Sequence, residues 1–337
     1  MNSNPLVSIC IPAYNSERWI EATIKSALAQ TWKNKEIIIV DDGSTDNTYN
    51  IARQFESNIL KVYSQKNSGA CVARNRALTI AQGDFIQWLD SDDLIAHDKI
   101  ENQLINSEQD SRTRKLFSAS WGRFFFRIKK ARFNSDPLWQ DLSPIIWLTY
   151  HMRDGYMMHP AAWLVSRELT NLAGPWDERL KLNQDGEYFC RVIVNSELVE
   201  FVSKATSYYR IGNLSSISRN RSQKAIESLN LSVNLCVDHL LNLENNRHAR
   251  DVSVRFLQKF VSKIYDEDSD VVVSTQKRII ELGGSCNPPL KSWKFLITEK
   301  LIGLDTAKYL KKLLWNLEIL VKKYWEHLCS IIFRDAT

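Results

Sequence analysis

Residues 85–94 read FIQWLDSDDL. Large apolar side chains run on to Leu89, and then three carboxylates, Asp90, Asp92 and Asp93, crowd into four positions. A strand buried on both faces accounts for the first half of this stretch. No core accounts for the second half, and a turn needs only one of the three acids. The chain aims concentrated negative charge off the end of a buried element.

Further short apolar runs, β-branched or aromatic, occur at 7–11, 36–40 and 60–63, as expected of strands covered on both sides. Helical stripes separate them. Ile20, Thr23, Ile24, Ala27 and Leu28 share one face; Ile51, Ala52 and Phe55 form a second stripe; Ala70, Ala73, Ala77 and Ala81 form a narrow third. Strand and helix in alternation at this spacing predict an α/β fold, an open and mostly parallel sheet flanked by helices.

Each predicted strand ends in polar residues. The first gives Pro12-Ala13-Tyr14-Asn15, the second Asp41-Asp42-Gly43-Ser44-Thr45-Asp46, the third Lys66-Asn67-Ser68-Gly69, the fourth Asp90-Ser91-Asp92-Asp93. One such cluster is an ordinary turn or helix cap. Four on the carboxyl edge of a parallel sheet mark a binding site, because ligands of such sheets sit there.

The rest of the chain bounds this reading. With 337 residues, 44% apolar and 25% charged, it has the composition of a globular protein of one large or two modest domains. Six scattered cysteines form no Cys-x-x-Cys, which excludes a disulfide framework or zinc cluster and suits a reducing, cytoplasmic location. The N-terminus lacks a signal-peptide pattern, and no run of about 18 apolar residues could span a bilayer. Of the net charge of +5, +4 belongs to residues 287–337, with nine Lys/Arg against five Asp/Glu. An acidic sheet edge with a basic tail argues against nucleic acid as a partner. Beyond the alternating region, 116–128 predicts a strand pair, 145–150 a short helix and 159–165 another strand. From 222 the pattern turns helical, with Leu229, Val233, Cys236, Val237 and Leu240 on one face and a further helix over 252–265. Domain boundaries are expected near Asn220 and, more weakly, Asn287.

Closely spaced carboxylates after a buried strand suit a hard divalent cation, Mn2+ or Mg2+, held by oxygen with positions left for phosphate. At this point the chain resembles the family-2 inverting glycosyltransferases, nucleotide-diphospho-sugar transferases of GT-A fold. The residues that carry the resemblance are VSICIPAYN (7–15), IIIVDDGSTDNT (37–48), QKNSGACVARNRAL (65–78), FIQWLDSDD (85–93) and GPWDERLKLNQDGEYFCRV (174–192). Together they cover roughly residues 5–212.

The resemblance implies a role for each matching residue. Pro12, Ala13 and Tyr14 would lie along the nucleotide and Asp42 would accept from the base, with Asp41 and Ser44 shaping that loop. Asn67, Gly69 and Arg74 would line the ribose and diphosphate. Asp90 and Asp92 form the Asp-x-Asp around Ser91, with Asp92 the expected metal ligand and Asp90 nearer the ribose. Asp93 is expected to favour the start of a following helix through its dipole. Asp185, after Gln184, matches the family's base on the acceptor side, although a helix N-cap acid would look the same; Glu187 is the second candidate. His159 suits a diphosphate or metal contact or a structural role. Trp163 and Trp176 suit stacking on an acceptor sugar or packing in the core. Arg210 suits the diphosphate or a solvated loop. The Gln-x-x-Arg-Trp segment and membrane spans of processive members are absent, so one sugar per encounter is expected, from a UDP-linked donor to a glycan or lipid-linked acceptor.

Two alternatives stand beside this: a haloacid-dehalogenase-type phosphatase using Asp90 and Asp92, and a nucleotide-sugar-binding protein without catalysis. The phosphatase would carry its motif on the first strand rather than the fourth. A sugar nucleotidyltransferase would need a Gly-rich, Arg-bearing loop after the first strand, which 12–16 lacks. In the tail, 307–333 places Leu310, Leu313, Leu314, Leu317, Leu320, Tyr324, Leu328 and Ile331 on one face, with Lys311, Lys312, Lys322 and Lys323 largely away from it and Trp315 and Trp325 suited to an interface. Such a helix fits an anionic membrane surface, or else packing on its own domain or a dimer partner.

Overall fold

β1 (Val7–Ala13) and β2 (Lys35–Asp41) show why the apolar runs become central strands. Successive side chains leave a strand on opposite faces, and here both faces are covered. Val7, Ile9 and Ile11 join one core cluster with Ile37 and Ile39, while Cys10 joins the other with Ile38 and Val40. β3 (Leu60–Ser64) and β4 (Phe85–Trp88) extend a parallel set in the order β3-β2-β1-β4. α1 (Ile20–Leu28) and α2 (Thr48–Arg53) cover one face, and α3 (Ala70–Ile80) packs its small residues Cys71, Ala73 and Ala77 on the other. The structure, a computed structural model, describes residues 4–105, 113–211, 222–264, 269–286, 300–303 and part of 306–328.

The second half of the sheet is mixed. Its elements are β5 (Leu94–Ile95), α4 (Lys99–Leu104), β6 (Leu116–Phe124), β7 (Arg132–Phe133), α5 (Pro144–Thr149), β8 (Leu164–Ser166), α6 (Arg167–Ala173), α7 (Gln184–Asn195) and β9 (Val199–Arg210). β8 runs antiparallel to both β4 and β6, β6 parallel to β9, and β5 antiparallel to β9. The strand pair expected within 116–128 is instead one long strand whose hairpin partner is the two-residue β7. The expected strand at 159–165 is a 3-10 turn at Pro160–Ala162 followed by β8. β9, the longest strand with β6 as its parallel neighbour, escapes the sequence pattern altogether.

α8 (Gln223–Leu243), α9 (Arg247–Ile264) and α10 (Ser269–Glu281) complete the chain's packed part. Cys236 and Leu240 of α8 and Ala249 and Val252 of α9 belong to the core cluster that holds Trp88, Trp163 and Trp176. The predicted stripe on α8 thus divides: Cys236 and Leu240 meet the sheet, while Leu229, Val233 and Val237 pack with α9 and α10. All five described cysteines are free, and Cys10, Cys71, Cys190 and Cys236 are buried. In the tail, Leu310, Leu313, Leu314, Leu317, Tyr324, Trp325 and Leu328 are helical and exposed; Trp315, Ile331 and the four lysines lie outside the described residues. No described helix is long and apolar enough to cross a membrane.

Candidate active site

Loops after β1, β2, β3 and β4 meet the N-terminal ends of α3 and α7 around a cavity of about 450 Å³. Pro12, Ala13, Tyr14, Asp42, Asn67, Gly69, Arg74, Asp90, Ser91, Asp92, His159 and Asp185 all line it. Six distant sequence segments therefore converge, the four polar clusters among them. Asp41, Ser44, Trp163, Trp176, Glu187 and Arg210 do not line it.

The loops are held in shapes that few residues adopt. Asn15 and Asn183, both on the wall, are the non-glycine residues with positive φ among those described, at 47° and 53°. Such conformations persist only where neighbours over-determine them, and they gather at functional sites. Asn15 is fixed by its Oδ1, which accepts from Thr45 N, and by its own N–H to Ser44 Oγ. Gly69 takes φ 103° just before α3, leaving its backbone open to the cavity. Asp42 organises this wall: Oδ1 accepts from Ser68 N and Gln65 Nε2, and Oδ2 from Gly69 N, all within 2.9 Å. The carboxylate expected to meet the base thus also fixes the loop beside it. Behind it, Asp41 Oδ2 accepts from Ser44 N at 3.1 Å, which matches the loop-shaping part expected of both.

Arg74 ties Asp90 to Gln184, the residue before Asp185. It is buried, with Nη2 at 2.8 Å from Asp90 Oδ1 and Nη1 at 2.9 Å from Gln184 Oε1, and its guanidinium lies over the Trp176 ring. Burial alone would lower its pKa, but Asp90 overrides this and the group stays a firm cation. Asp185 sits in the first turn of α7, next to Gln184. Burial raises its pKa, Arg74 opposes that and Asp90 adds to it. The loop before Asp185 is clamped by α8: Ser228 Oγ accepts from Lys181 N and Leu182 N, and Ser232 Oγ bonds both the amide and the carbonyl of Asn183.

Several expectations are corrected. Asp93 is followed directly by β5 rather than by a helix. It is fully buried, with Oδ2 2.9 Å from His159 Nδ1 and Oδ1 accepting from Arg210 N at 2.8 Å. His159 spends its other nitrogen on Ser207 Oγ at 2.8 Å, so neither nitrogen is offered to a metal or diphosphate. Arg210 is neither in a solvated loop nor at the cavity. Its guanidinium lies between Trp19 and Phe124 and donates to Asp92 O and Phe125 O. Trp163 and Trp176 are 0% and 1% exposed, stacked on Phe189 and Tyr188, and neither lines this cavity, in keeping with the core-packing reading. Glu187 is buried against Arg191 at 2.6 Å and His239 at 3.1 Å. Burial would raise its pKa, but these partners lower it, which leaves no vacancy for a base's work.

Asp90 and Asp92 share the cavity with a pathway to solvent and supply the carboxylate oxygens a hard divalent cation takes. No group of three or more His, Cys, Asp or Glu placed to hold a metal occurs among the described residues. The pair therefore fits an ion that takes the rest of its shell from donor phosphates and water. Sequence reasoning missed Ser16, Met157, Lys181, Asn183 and Tyr209 on the cavity wall. Ser16, whose Oγ lies 2.7 Å from Ser91 Oγ, was reachable from its place beside Asn15; Met157 and Tyr209 carried no such signal.

Comparison with known proteins agrees with this geometry. Residues 8–132 match the family model of glycosyl transferase family 2. TuaG of Bacillus subtilis, named for teichuronic acid biosynthesis, is 50% identical over 106 residues, 31% of this chain and 42% of that protein. WfaP of Escherichia coli, named a UDP-Glc:α-D-GlcNAc-diphosphoundecaprenol β-1,3-glucosyltransferase, is 51% identical over 100 residues, 29% of this chain and 40% of that protein. The chain thus spans about two fifths of the length of these relatives. Among solved structures, S. aureus TarS (residues 1–349) with UDP-GlcNAc superposes with a TM-score of 0.66 over 82% of this chain and 81% of that one, at 18% identity. The mannosyltransferase PcManGT of Pyrobaculum calidifontis, with GDP-Man and Mn2+, gives a TM-score of 0.52 over 96% and 88%, at 15% identity. These two likenesses establish the fold.

Proposed function

The chain carries a family-2 glycosyltransferase domain of GT-A fold, and from that premise we propose that it moves one sugar, with inversion, from a nucleotide-diphosphate donor to a glycan or lipid-linked acceptor. The observation that carries this reading is the single cavity in which Asp90, Asp92, Arg74 and Asp185 meet the loops of Asp42 and Gly69. The nucleotide lies along Pro12–Tyr14 and Asp42, and the diphosphate toward Gly69, Arg74 and the Asp-x-Asp. Asp185 takes the proton of the acceptor hydroxyl as its oxygen bonds to the anomeric carbon. The bond from that carbon to the diphosphate breaks, and the nucleoside diphosphate leaves. Mn2+ or Mg2+ held by Asp92 and Asp90 would neutralise the departing diphosphate. UDP is the base we assign, supported by the donor in WfaP's name and by the ligand in TarS.

A thermal-shift series with UDP, GDP and CDP, each with and without Mn2+, tests the donor half. A ligand at 100 times its Kd stabilises the native state by about 2.7 kcal/mol. The expected result is a rise in melting temperature with UDP that grows with metal; no nucleotide raising it would sink the reading. A binding protein without catalysis would pass this test and then release no UDP from a UDP-sugar.

We also assign the tail, 307–333, to a peripheral contact with an anionic membrane on the cytoplasmic face. Its described apolar residues, the half-buried Leu320 apart, are exposed, and its lysines supply attraction to acidic headgroups. Sedimentation with phosphatidylglycerol vesicles, compared with neutral ones, tests this: equal recovery in both rules out the charge-driven contact.

A further inference from the structure

A second cavity, of about 240 Å³, adjoins the first, and Met157, Asn183 and Asp185 line both. Asp185 therefore stands at the junction, reached from the donor side through one cavity and from the opposite side through the other. The walls of the second are aromatic: Trp147, Trp163 and Phe189 line it from the sheet domain, Phe256 and Phe260 from α9. Lys259 and Lys263 of α9 line it too, and both are exposed, so the chamber runs from a cationic mouth at the surface to the carboxyl of Asp185 inside.

Asp154, the carboxylate that acts on Lys259, is occupied by Arg153, whose Nε and Nη2 donate to its two oxygens at 2.9 and 2.7 Å. Gly155 beside it takes φ 86°, and a Cβ there would lie 3.5 Å from the Lys259 amine. Partial burial, then Lys263 and Arg153, push the Lys259 amine down, with Asp154 opposing. Two lysines lining one apolar chamber offer an anion charge-assisted hydrogen bonds.

We propose that this chamber is the acceptor subsite, and that the acceptor is a sugar carrying a phosphate or diphosphate. The sugar's C–H face lies on the aromatic wall, the attacking hydroxyl points to Asp185, and the phosphoryl group sits at Lys259 and Lys263. The volume suits a sugar ring; any lipid on the phosphate leaves through the mouth between the lysines. The assignment rests on the transferase reading above and adds to it the chemistry of the acceptor.

The test uses the full chain with UDP bound. Binding of N-acetylglucosamine, its 1-phosphate, and its farnesyl-diphosphate-linked form is followed by tryptophan fluorescence, since Trp147 and Trp163 line the chamber. At least one phosphorylated probe should bind about tenfold or more tightly than the free sugar. K259E/K263E should erase that preference, K259R/K263R should retain it, and all three proteins should bind UDP within about twofold. A tighter farnesyl form identifies a lipid-linked acceptor, and equal affinities a soluble sugar phosphate; either supports the proposal. Preference absent in the unaltered protein, or surviving in K259E/K263E, overturns it. Failure of the unaltered protein to bind UDP would instead count against the transferase reading.

Discussion

His159 Nδ1 and Asp93 Oδ2 lie 2.9 Å apart, and neither residue is exposed to solvent. Burial acts on both in the direction of neutrality. It raises the Asp93 carboxyl well above its usual range, with Asp90 adding and Arg210 opposing, and lowers His159 to about 3, with nearby Lys99 adding and Asp90, Asp185 and Asp92 opposing. The pair thus keeps one proton between its two members over a wide pH range. This unit pins the base of the Asp-x-Asp loop to β9.

The linkage gives a prediction with a definite sign. Asp93's raised value contributes stability below about pH 3.9 that is lost as pH rises toward the folded value, and His159's lowered value contributes stability above about pH 6.5 that is lost as pH falls toward 3. Between about 3.9 and 6.5 the two trends cancel. Above about 6.5 only the Asp93 trend remains, so stability should fall by up to about 1.4 kcal/mol per pH unit. Asp93→Asn, which still accepts from Arg210 N, removes the titrating group. Urea midpoints from pH 6.5 to 8.5 should decline in the parent and flatten in the variant; parallel curves would refute a shared proton.

Arg74→Lys makes a second prediction. Lysine keeps the charge but cannot reach Asp90 and Gln184 together while lying flat on Trp176. Loss of one charge-assisted bond at this partly buried site should cost about 2 kcal/mol of stability. UDP affinity should fall about tenfold or more with it. Urea denaturation and UDP titration on the same protein check both; a variant with unaltered donor affinity would remove Arg74 from the diphosphate side.

How far the sequence reached follows from the kind of contact involved. β1, β2 and β4 were legible because both faces of each are covered, which leaves mostly apolar stretches at 7–13, 37–40 and 85–88, whereas β3 buries Leu60 and Val62 and exposes Lys61. β9 was not, because its residues Val202 to Lys204 are only half-buried or exposed, and its register with β6 shifts at Ala119/Ser120. The sheet-edge clusters placed the Asp42, Asp90 and Asp92 loops on one cavity, as their common edge demanded. The roles of Trp163, Trp176, Glu187, His159 and Arg210 stayed open for a single reason: residue type marks what a side chain can bind, whereas its partner is chosen by packing across long sequence separations. Arg210 meets Asp93 across 117 positions, and no local pattern encodes that.

Asp92→Ala gives a third prediction. Asp92 is partly exposed on the cavity wall, so its loss should leave the melting temperature within about 2 °C, as surface changes usually do. The Mn2+-dependent part of UDP binding should disappear, while any metal-free binding persists. Calorimetric titration of UDP with and without Mn2+ separates the two. A variant whose UDP affinity still climbs with Mn2+ would move the metal away from this carboxylate.

Asp185→Asn tests the base directly. Burial raises the Asp185 carboxyl above the usual range of about 3.9, Asp90 pushes in the same direction and Arg74 holds it back. A base acts when deprotonated, so transfer should increase with pH through that raised value, and the acid limb of kcat should lie above about pH 3.9. Asparagine accepts no proton yet fills the same space at the junction of the two cavities. Turnover should drop by about 10²–10⁴-fold and lose its acid limb, while UDP affinity stays within a few-fold. Glu187 is committed to Arg191 and His239 and offers no substitute. A collapse of donor affinity in Asp185→Asn would place this carboxylate on the nucleotide-sugar rather than on the acceptor.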